Sequence, residues 1–235
     1  MSATSCQITP LGQSYSFNPI RTFGALKQSM IDEFFRHQTA RAEYVLKPDV
    51  YESTDIQHLR DSIDHDRYFT QLGFIAHRSD INPIRTETTG VVAQIPNQTG
   101  GTVELFTNAV KRNFVIPWQK YLGVGLSEVF IDCVGSTLVL EHSLCFMYDG
   151  KLVGLAYRFP SHDCMGRELQ QVGWVWIDKT LKLSSRREIR SMISQWLRDS
   201  DATLFQAGIH VFNTPSLRFF EALGFTLQFA HILKK

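Results

Sequence analysis

Apolar side chains recur at helical spacing in several segments of the chain. One of these segments is "FGALKQSMIDEFFRH", which begins at Phe23; its apolar residues share one helical face and its charged residues lie on the others. The same pattern returns at intervals up to the last quarter of the sequence. It predicts helices over residues 23–37, 56–72, 103–114, 117–134, 184–200 and 214–223.

Short apolar runs rich in β-branched and aromatic residues alternate with these helices. Two runs meet at Asp149-Gly150, a dipeptide that favours the tight turn of a β-hairpin. The second half therefore has the order helices, three strands, helix, strand, helix, strand. Strands are predicted over residues 42–51, 74–81, 90–95, 170–178, 203–212 and 225–234, and on both sides of the turn within 137–160.

Local signals mark the ends of the last two helices. Ser185 and Glu188 have the spacing of a capping box at the start of helix 184–200. Asn213 is placed to cap the last helix, and Gly224 is placed to end it in a left-handed conformation. The strand that follows would be exposed at an edge of the sheet, where it could pair with a second subunit in a homodimer.

Composition assigns the chain to the ordinary globular proteins. It has 235 residues, 43% of them hydrophobic, and a formal net charge of +1. No apolar run approaches the roughly 18 residues of a membrane span and the first residues are polar, so we expect a cytoplasmic protein without membrane contact. The four cysteines form no CxxC pair and the eight histidines no HExxH spacing, so neither disulfides nor a metal are expected. Nothing in the charge pattern indicates nucleic-acid binding.

A short sequence occurs twice. The "HDRYFTQLGF" segment at 65–74 shares with "NTPSLRFFEALGF" at 213–225 the order Arg, aromatic, Phe, two residues, Leu-Gly-Phe. Each copy is predicted to follow a strand, to end a helix at glycine and to precede another strand. A stretch rich in Thr, Gly and Asn separates the copies. We predict a truncated N-terminal unit over 1–85, a linker over 86–102 and a complete domain over 103–235.

The second half resembles the GCN5-related N-acetyltransferases. The resemblance covers roughly residues 104–235, and its most specific part is the block from Asn213 through Ser216 and Phe219-Phe220 to Leu223-Gly224-Phe225. It implies an α/β (α+β) fold with a mixed, mostly antiparallel central sheet flanked by helices. The first half would then be a truncated copy of the same fold. A further likeness is to acyltransferases that act on nucleotide-linked deoxyaminosugars.

The resemblance implies a binding site for acetyl-CoA or another acyl-CoA. In the family, backbone N–H groups at the start of the helix that matches 184–200 cradle the pyrophosphate. This chain has Ser184, Arg187 and Ile189 where the family has a polar residue and two glycines, so Arg186, Arg187 or Lys182 would add charged contacts. The implied coenzyme site comprises Val175, Ile177, Ser185, Arg186, Arg187, Glu188, Asn213, Ser216 and Phe220.

The oxyanion of acyl transfer needs a hydrogen-bond donor. The family uses a backbone N–H on the strand that matches "GWVWIDK", at a bulge where two strands splay. Val175 and Ile177 would border the thioester there. Trp174 and Trp176 share the other face of the strand, where they would be core residues or would flank the acyl channel.

The acid and the base of the reaction stay open at this point. The family often has a tyrosine as acid where this chain has Phe220, which cannot donate a proton. The role would pass to Tyr148, Tyr157 or His210. His210 is also the first candidate for the base, because it ends a strand near the expected splay and has a suitable reference pKa. The other candidates for the base are Asp178, Glu141 and His142.

Three hypotheses follow. The first is a coenzyme A-dependent N-acyltransferase that acts on the primary amine of a small molecule, with the first half shaping the acceptor pocket. The second keeps the fold but takes its acyl or aminoacyl group from a carrier protein or a tRNA, because such donors need no pyrophosphate loop. The third is a non-catalytic protein that binds a partner through the same cleft. Coenzyme A binding separates the first hypothesis from the others.

Overall fold

A computed structural model describes residues 4–8, 14–20, 22–36, 43–48, 54–96, 102–163 and 166–235. Within these residues, ten strands form one sheet, and a π-helical segment, Lys111–Val115, joins two of the helices. The helices are α1 Gln28–Arg36, α2 Asp55–Ser62, α3 Thr102–Val110, α4 Ile116–Thr137, α5 Leu183–Arg198 and α6 Thr214–Ala222. The strands are β1 Thr4–Ile8, β2 Ser14–Ile20, β3 Glu43–Pro48, β4 Tyr68–His77, β5 Val92–Gln94, β6 Ser143–Tyr148, β7 Lys151–His162, β8 Glu168–Ile177, β9 Leu204–His210 and β10 Thr226–Lys234.

The sheet is mixed and mostly antiparallel, which confirms the predicted fold class. The strands lie in the order β1-β2-β3-β10-β4-β9-β8-β7-β6-β5. Strand β2 pairs with β3, and β8 with β9, in the parallel sense, whereas the other described neighbours are antiparallel. Helices cover both faces, as expected for a sheet whose central strands are apolar on both sides.

The two halves of the chain contribute to the same sheet. Strand β4, from the first half, lies between β9 and β10 of the second half and pairs with both. Strand β5, from the predicted linker 86–102, pairs with β6 at the opposite end of the sheet. The sheet is therefore continuous across the predicted boundary.

Strand β10 corrects the expectation of an exposed C-terminal edge. It pairs with β3 on one side and with β4 on the other, so its N–H and C=O groups are used within the chain. Edge pairing through β10 is therefore not available for a homodimer. Sequence alone could not show this, because both neighbours of β10 come from residues more than a hundred positions upstream.

The repeated sequence has two different local structures, so the prediction that each copy ends a helix at glycine is wrong for the first copy. The second copy behaves as predicted: α6 ends before Gly224, whose φ is +95°. In the first copy the predicted helix 56–72 ends at Ser62, and Gly73 lies inside β4. Pairing with strands on both sides outweighs the local signal there.

Of the two predicted N-terminal helix caps, that of α6 is confirmed and that of α5 is wrong. Asn213 caps α6, since its side chain accepts a hydrogen bond from the Ser216 N–H at 3.4 Å. The predicted capping box of α5 is wrong: the helix begins after Lys182, and no side chain caps it there. Glu188 has partners outside α5.

Buried residues lie on both faces of the sheet. Helices α1, α2, α5 and α6 bury their apolar residues in one cluster, which includes Phe35, Leu59 and Ile193. Helices α3 and α4 pack on the other face, through Phe106 and Leu122 among others. Within α4 the backbone departs from helical geometry at Gly123, where φ is +72°. None of the described helices is long and apolar enough to cross a membrane.

Candidate active site

Strands β8 and β9 separate after a short stretch of pairing. Parallel pairing covers Gln170–Val172 against Phe205–Ala207 and does not continue. Strand β8 nevertheless runs on to Ile177, and β9 to His210. A gap therefore opens in the middle of the sheet. The register between β7 and β8 shifts at the same level, next to Gly173, which is consistent with a β-bulge.

Backbone groups of β8 face this gap. The Asp178 N–H donates to the Val153 carbonyl at 2.8 Å, which shows that these two residues form a hydrogen-bonded pair between β8 and β7. In an antiparallel ladder such pairs alternate with non-bonded pairs. The N–H and C=O groups of Val175 and Ile177 therefore point away from β7, toward the gap. This is the position that the sequence predicted for the oxyanion donor.

A cavity of about 740 Å³ adjoins the gap. The sheet forms its floor, α3, the π-helical segment and α4 form its roof, and the first turns of α5 and α6 reach its rim. The volume is that of a typical small-molecule site. Eight of the residues predicted for the coenzyme site or for catalysis line it: Tyr157, Val175, Ile177, Arg186, His210, Asn213, Ser216 and Phe220.

The α5 residues that were predicted for the coenzyme site point in different directions around the helix. Arg186 and Arg190 are four residues apart on one flank and both line the cavity. Burial lowers the pKa of Arg190, and the charges of Arg186 and Arg187 lower it further. Arg187 is exposed and does not line the cavity. An anion between Arg186 and Arg190 would relieve the repulsion of these cations.

Ser185 and Glu188 lie on the other flank of α5. Both are buried, and neither lines the cavity. The Glu188 carboxylate accepts hydrogen bonds from the Thr89 N–H at 2.9 Å, from the Thr89 hydroxyl and from the Val91 N–H at 3.3 Å. The Thr89 hydroxyl also lies 3.0 Å from the Ser185 hydroxyl. These two residues therefore fasten the connecting segment to α5.

Four of the predicted catalytic candidates lie outside the cavity lining: Glu141, His142, Tyr148 and Asp178. The Asp178 carboxylate accepts hydrogen bonds from the Thr180 N–H and hydroxyl, both at 2.8 Å, and so stabilises the turn before α5. Tyr148 ends β6 beside the hairpin turn. Tyr157 does line the cavity, where burial raises the pKa of its phenol and keeps it protonated.

His210 is the predicted catalytic residue that the structure brings to the gap. Its ring is 3% exposed and stacks on Phe69 at a centroid distance of 4.6 Å, with Trp118 and Tyr121 at 5.2 and 5.1 Å. Burial lowers the pKa of His210 to about 3, with smaller contributions from the charges of His65, Lys235 and Arg60. The ring is therefore neutral at physiological pH.

A backbone hydrogen bond indicates the tautomer of His210. The Phe212 N–H donates to its Nδ1 atom at 3.4 Å. Because Nδ1 is the acceptor, the proton of the neutral ring is on Nε2. In this state His210 is a hydrogen-bond donor, and these properties favour that role over the role of general base.

His210 should make stability depend on pH. Its pKa is lower in the folded than in the unfolded state, so the unfolded state binds the proton first and stability falls as the pH drops from about 6.5 toward 3. Between pH 7.5 and 5.5 we expect His210 to account for a loss of roughly 1 kcal/mol. Urea unfolding at the two pH values should show this loss in the wild type and correspondingly less of it in His210→Phe. Equal losses in both proteins would contradict it.

Several cavity residues had no signal in the sequence. Gln71 comes from β4, which was predicted to be helical, and Trp118 comes from α4. Asn113 and Phe114 reach the cavity from the π-helical segment, a feature that often marks functional sites. Lys179 lies in the turn before α5. The helical spacing from Arg186 could have identified Arg190.

Comparison with known proteins yields similarity in structure only. No family model matches the chain, and no curated protein matches it. A functionally unknown conserved protein from Staphylococcus epidermidis has a TM-score of 0.50 at 12% identity, over 95% of this chain and 84% of that chain.

GCN5-related N-acetyltransferases recur among the similar structures. The one from Kribbella flavida has a TM-score of 0.47 at 11% identity, over 100% of this chain and 90% of that chain. The one from Sphaerobacter thermophilus has a TM-score of 0.46 at 12% identity, over 88% of this chain and 64% of that chain.

Proposed function

We propose that the protein transfers an acyl group, in the simplest case acetyl, from acyl-CoA to the primary amine of a small molecule. The observation that carries the proposal is the gap between β8 and β9, which leads into the cavity and offers backbone groups without a partner strand. An extended thioester arm can hydrogen-bond to the free backbone of Val175 and Ile177, as an added strand would.

The rim of the cavity fits the phosphates of the donor. Three cations line it: Lys179 in the turn before α5, Arg186 in the first turn of α5, and Arg190 one turn further along the helix. The first turn of a helix has N–H groups without intrahelical partners, which favour an anion. The side chains that replace the glycines of the related family do not obstruct this site, because Arg187 points outward and Ile189 is in the core.

The cavity supports the remaining steps of acyl transfer. The amine nitrogen would attack the thioester carbonyl carbon, and the oxyanion so formed would accept the hydrogen bond of the Val175 N–H. The C–S bond then breaks, and the proton that the nitrogen loses ends on the departing sulfur, so that the amide and the free thiol of coenzyme A are the products. Two protonated groups line the cavity and can donate to the thiolate, the His210 Nε2–H and the Tyr157 hydroxyl.

The first half of the chain would shape the acceptor side of the cavity. Strand β4 contributes Gln71 and Gly73 to the floor, and Gln71 lies opposite His210 in the register. The acceptor would therefore contact both halves of the chain. This agrees with the hypothesis that the N-terminal half has a part in substrate binding.

The donor site is tested by calorimetry with acetyl-CoA. Arg186→Ala and Arg190→Ala are each expected to weaken binding about tenfold, since each removes a charge-assisted contact of about 1.5 kcal/mol. Arg187→Ala is the matched control, because it removes the same charge from the same turn without touching the cavity. Its effect should stay within about twofold, as for an exposed charge.

Two results would redirect the proposal. If Arg187→Ala weakened binding as much as Arg186→Ala, overall charge and not the cavity rim would hold the phosphates. If the wild type bound neither acetyl-CoA nor coenzyme A at millimolar concentration, acyl-CoA would not be the donor. Carrier-protein or tRNA donors, or a purely binding role, would then be tested next.

A further inference from the structure

Negative charge is missing from the cavity. Neither aspartate nor glutamate occurs among the described residues that line it. The charged groups that do line it are cations, Lys179, Arg186 and Arg190. They belong to the proposed phosphate site, so the phosphates of a bound donor offset their charge. What limits the amines that can enter is the lack of a carboxylate among the described lining residues.

An aliphatic amine would bind poorly in such a cavity. Aliphatic amines resemble the lysine side chain, whose pKa is about 10.4, and are cationic at neutral pH. A buried ammonium group without a carboxylate partner bears the full cost of desolvation. It would also have to lose a proton before it could attack the thioester.

Among the described residues that line the cavity, none beside the gap is suited to remove that proton. His210 has a pKa lowered to about 3 and is in the Nε2–H tautomer. The pKa values of Tyr157 and Cys133 are raised by burial, so both stay neutral.

Two further histidines that line the cavity lie away from the gap. His231 lies two strands from His210, about 10 Å across the sheet. His162 lies six residues along β7 from Ala156, the partner of Val175, which is about 20 Å. Both are beyond hydrogen-bond reach of an amine at the gap.

The walls of the cavity suit a planar ring. Phe114, Trp118, Phe130, Trp174 and Trp176 line it from the roof and the floor. The rings of Phe114 and Phe130 form an edge-to-face pair at 5.7 Å, and Trp118 lies 6.5 Å from Phe114. Aromatic rings prefer such offset and edge-on neighbours.

We infer that the acceptor is a primary aromatic amine, with its nitrogen attached directly to the ring. The ring withdraws electron density from the nitrogen, so the amine is neutral at pH 7 and needs neither a carboxylate partner nor a base before it attacks. This inference rests on the proposed function and specifies its acceptor. It excludes polyamines, aminoglycosides and lysine side chains as preferred acceptors.

Aniline and benzylamine form the test pair, since both have one phenyl ring and one primary amine. At pH 7.5 aniline is neutral and benzylamine is a cation. With acetyl-CoA present, thiol release and product mass should show at least tenfold higher kcat/KM for aniline. The aniline rate should be nearly constant from pH 6.5 to 8.5, whereas the benzylamine rate should rise with pH. An equal or higher rate for benzylamine at pH 7.5 would overturn the inference.

A designed carboxylate provides a second test. Gln71→Glu keeps the shape of the side chain and adds a negative charge on the cavity face, beside His210. The ratio of kcat/KM for aniline to kcat/KM for benzylamine should fall at least tenfold in this variant. Gln228→Glu adds the same charge outside the cavity lining and should leave the preference unchanged. An unchanged preference in Gln71→Glu, with a normal thermal melting point, would count against the electrostatic argument.

A binding experiment separates the test of the acceptor class from the test of acyl-CoA as the donor. Both amines are also titrated into the protein without coenzyme, with the quenching of tryptophan fluorescence as the readout. If acetyl-CoA failed to bind but aniline still bound at least tenfold more tightly than benzylamine, the donor would be wrong and the acceptor class right. If acetyl-CoA bound but aniline did not, the acceptor class would be wrong.

Discussion

Replacing Gly73 with alanine is expected to destabilise the protein by about 2 kcal/mol. A Cβ atom at this position would lie 1.8 Å from one carbon of the Phe229 ring and 2.3 Å from two others. Phe229 is buried and packs against Val45, Ile75 and Leu204, so the ring cannot give way without cost. Urea unfolding measures the loss. A variant as stable as the wild type would show that the ring is not held in this place.

A second glycine serves as the control. Gly135 lies in α4, and a Cβ atom there would meet nothing within 4 Å. Gly135→Ala should therefore stabilise the protein by about 0.5–1 kcal/mol, because alanine loses less backbone entropy in a helix. The double variant Gly73→Ala/Phe229→Leu replaces the ring with a smaller side chain. It should recover part of the stability lost in Gly73→Ala, since the two changed residues share one contact. If the ring moved into the cavity instead, acetyl-CoA binding would fall in Gly73→Ala.

Gly73 also explains where sequence interpretation failed. The Leu-Gly-Phe triplet around it is the same as the one around Gly224, and both are flanked by the same kinds of residue. At Gly224 the glycine is needed for its positive φ. At Gly73 it is needed for space under a ring that comes from β10, far along the sequence. A local pattern cannot distinguish these two requirements.

Sequence signals predicted the structure correctly where the contacts involve residues close together in the chain. The tight turn at Asp149-Gly150, the cap at Asn213 and the end of α6 at Gly224 all occur as predicted. Glu188 shows the opposite case: it fits a capping box by spacing, but its partners Thr89 and Val91 come from the connecting segment. A nonlocal partner can outweigh a capping interaction of about 1 kcal/mol.

The same distinction applies to the candidate site. The family resemblance implied that Val175 and Ile177 border the thioester, and strand alternation put them on one face of β8, where both line the cavity. Consecutive residues on α5 point about 100° apart, so Arg186 reaches the cavity and Arg187 does not. Gln71 and Trp118 could not be foreseen, because they enter the site through the pairing of β4 and the packing of α4.

The Val175 N–H is the group with the largest expected effect on catalysis. Val175→Pro removes that N–H and is expected to lower kcat roughly 100-fold, as loss of an oxyanion donor does. The strand should tolerate the change, because proline is accepted where the N–H does not bond to a neighbouring strand. Binding of coenzyme A, which has no thioester carbonyl, should change much less than kcat.

Trp176→Pro tests the assignment of the backbone direction. Trp176 pairs with Leu155, two residues before the bonded pair of Asp178 and Val153, so its N–H donates within the ladder. Its replacement should cost about 3 kcal/mol in unfolding free energy, well above the cost of Val175→Pro. If Val175→Pro were instead the more destabilising change, the N–H of Val175 would belong to the ladder and the oxyanion donor would have to lie elsewhere. If Val175→Pro were stable and its kcat unchanged, the gap would bind the thioester arm without stabilising the oxyanion.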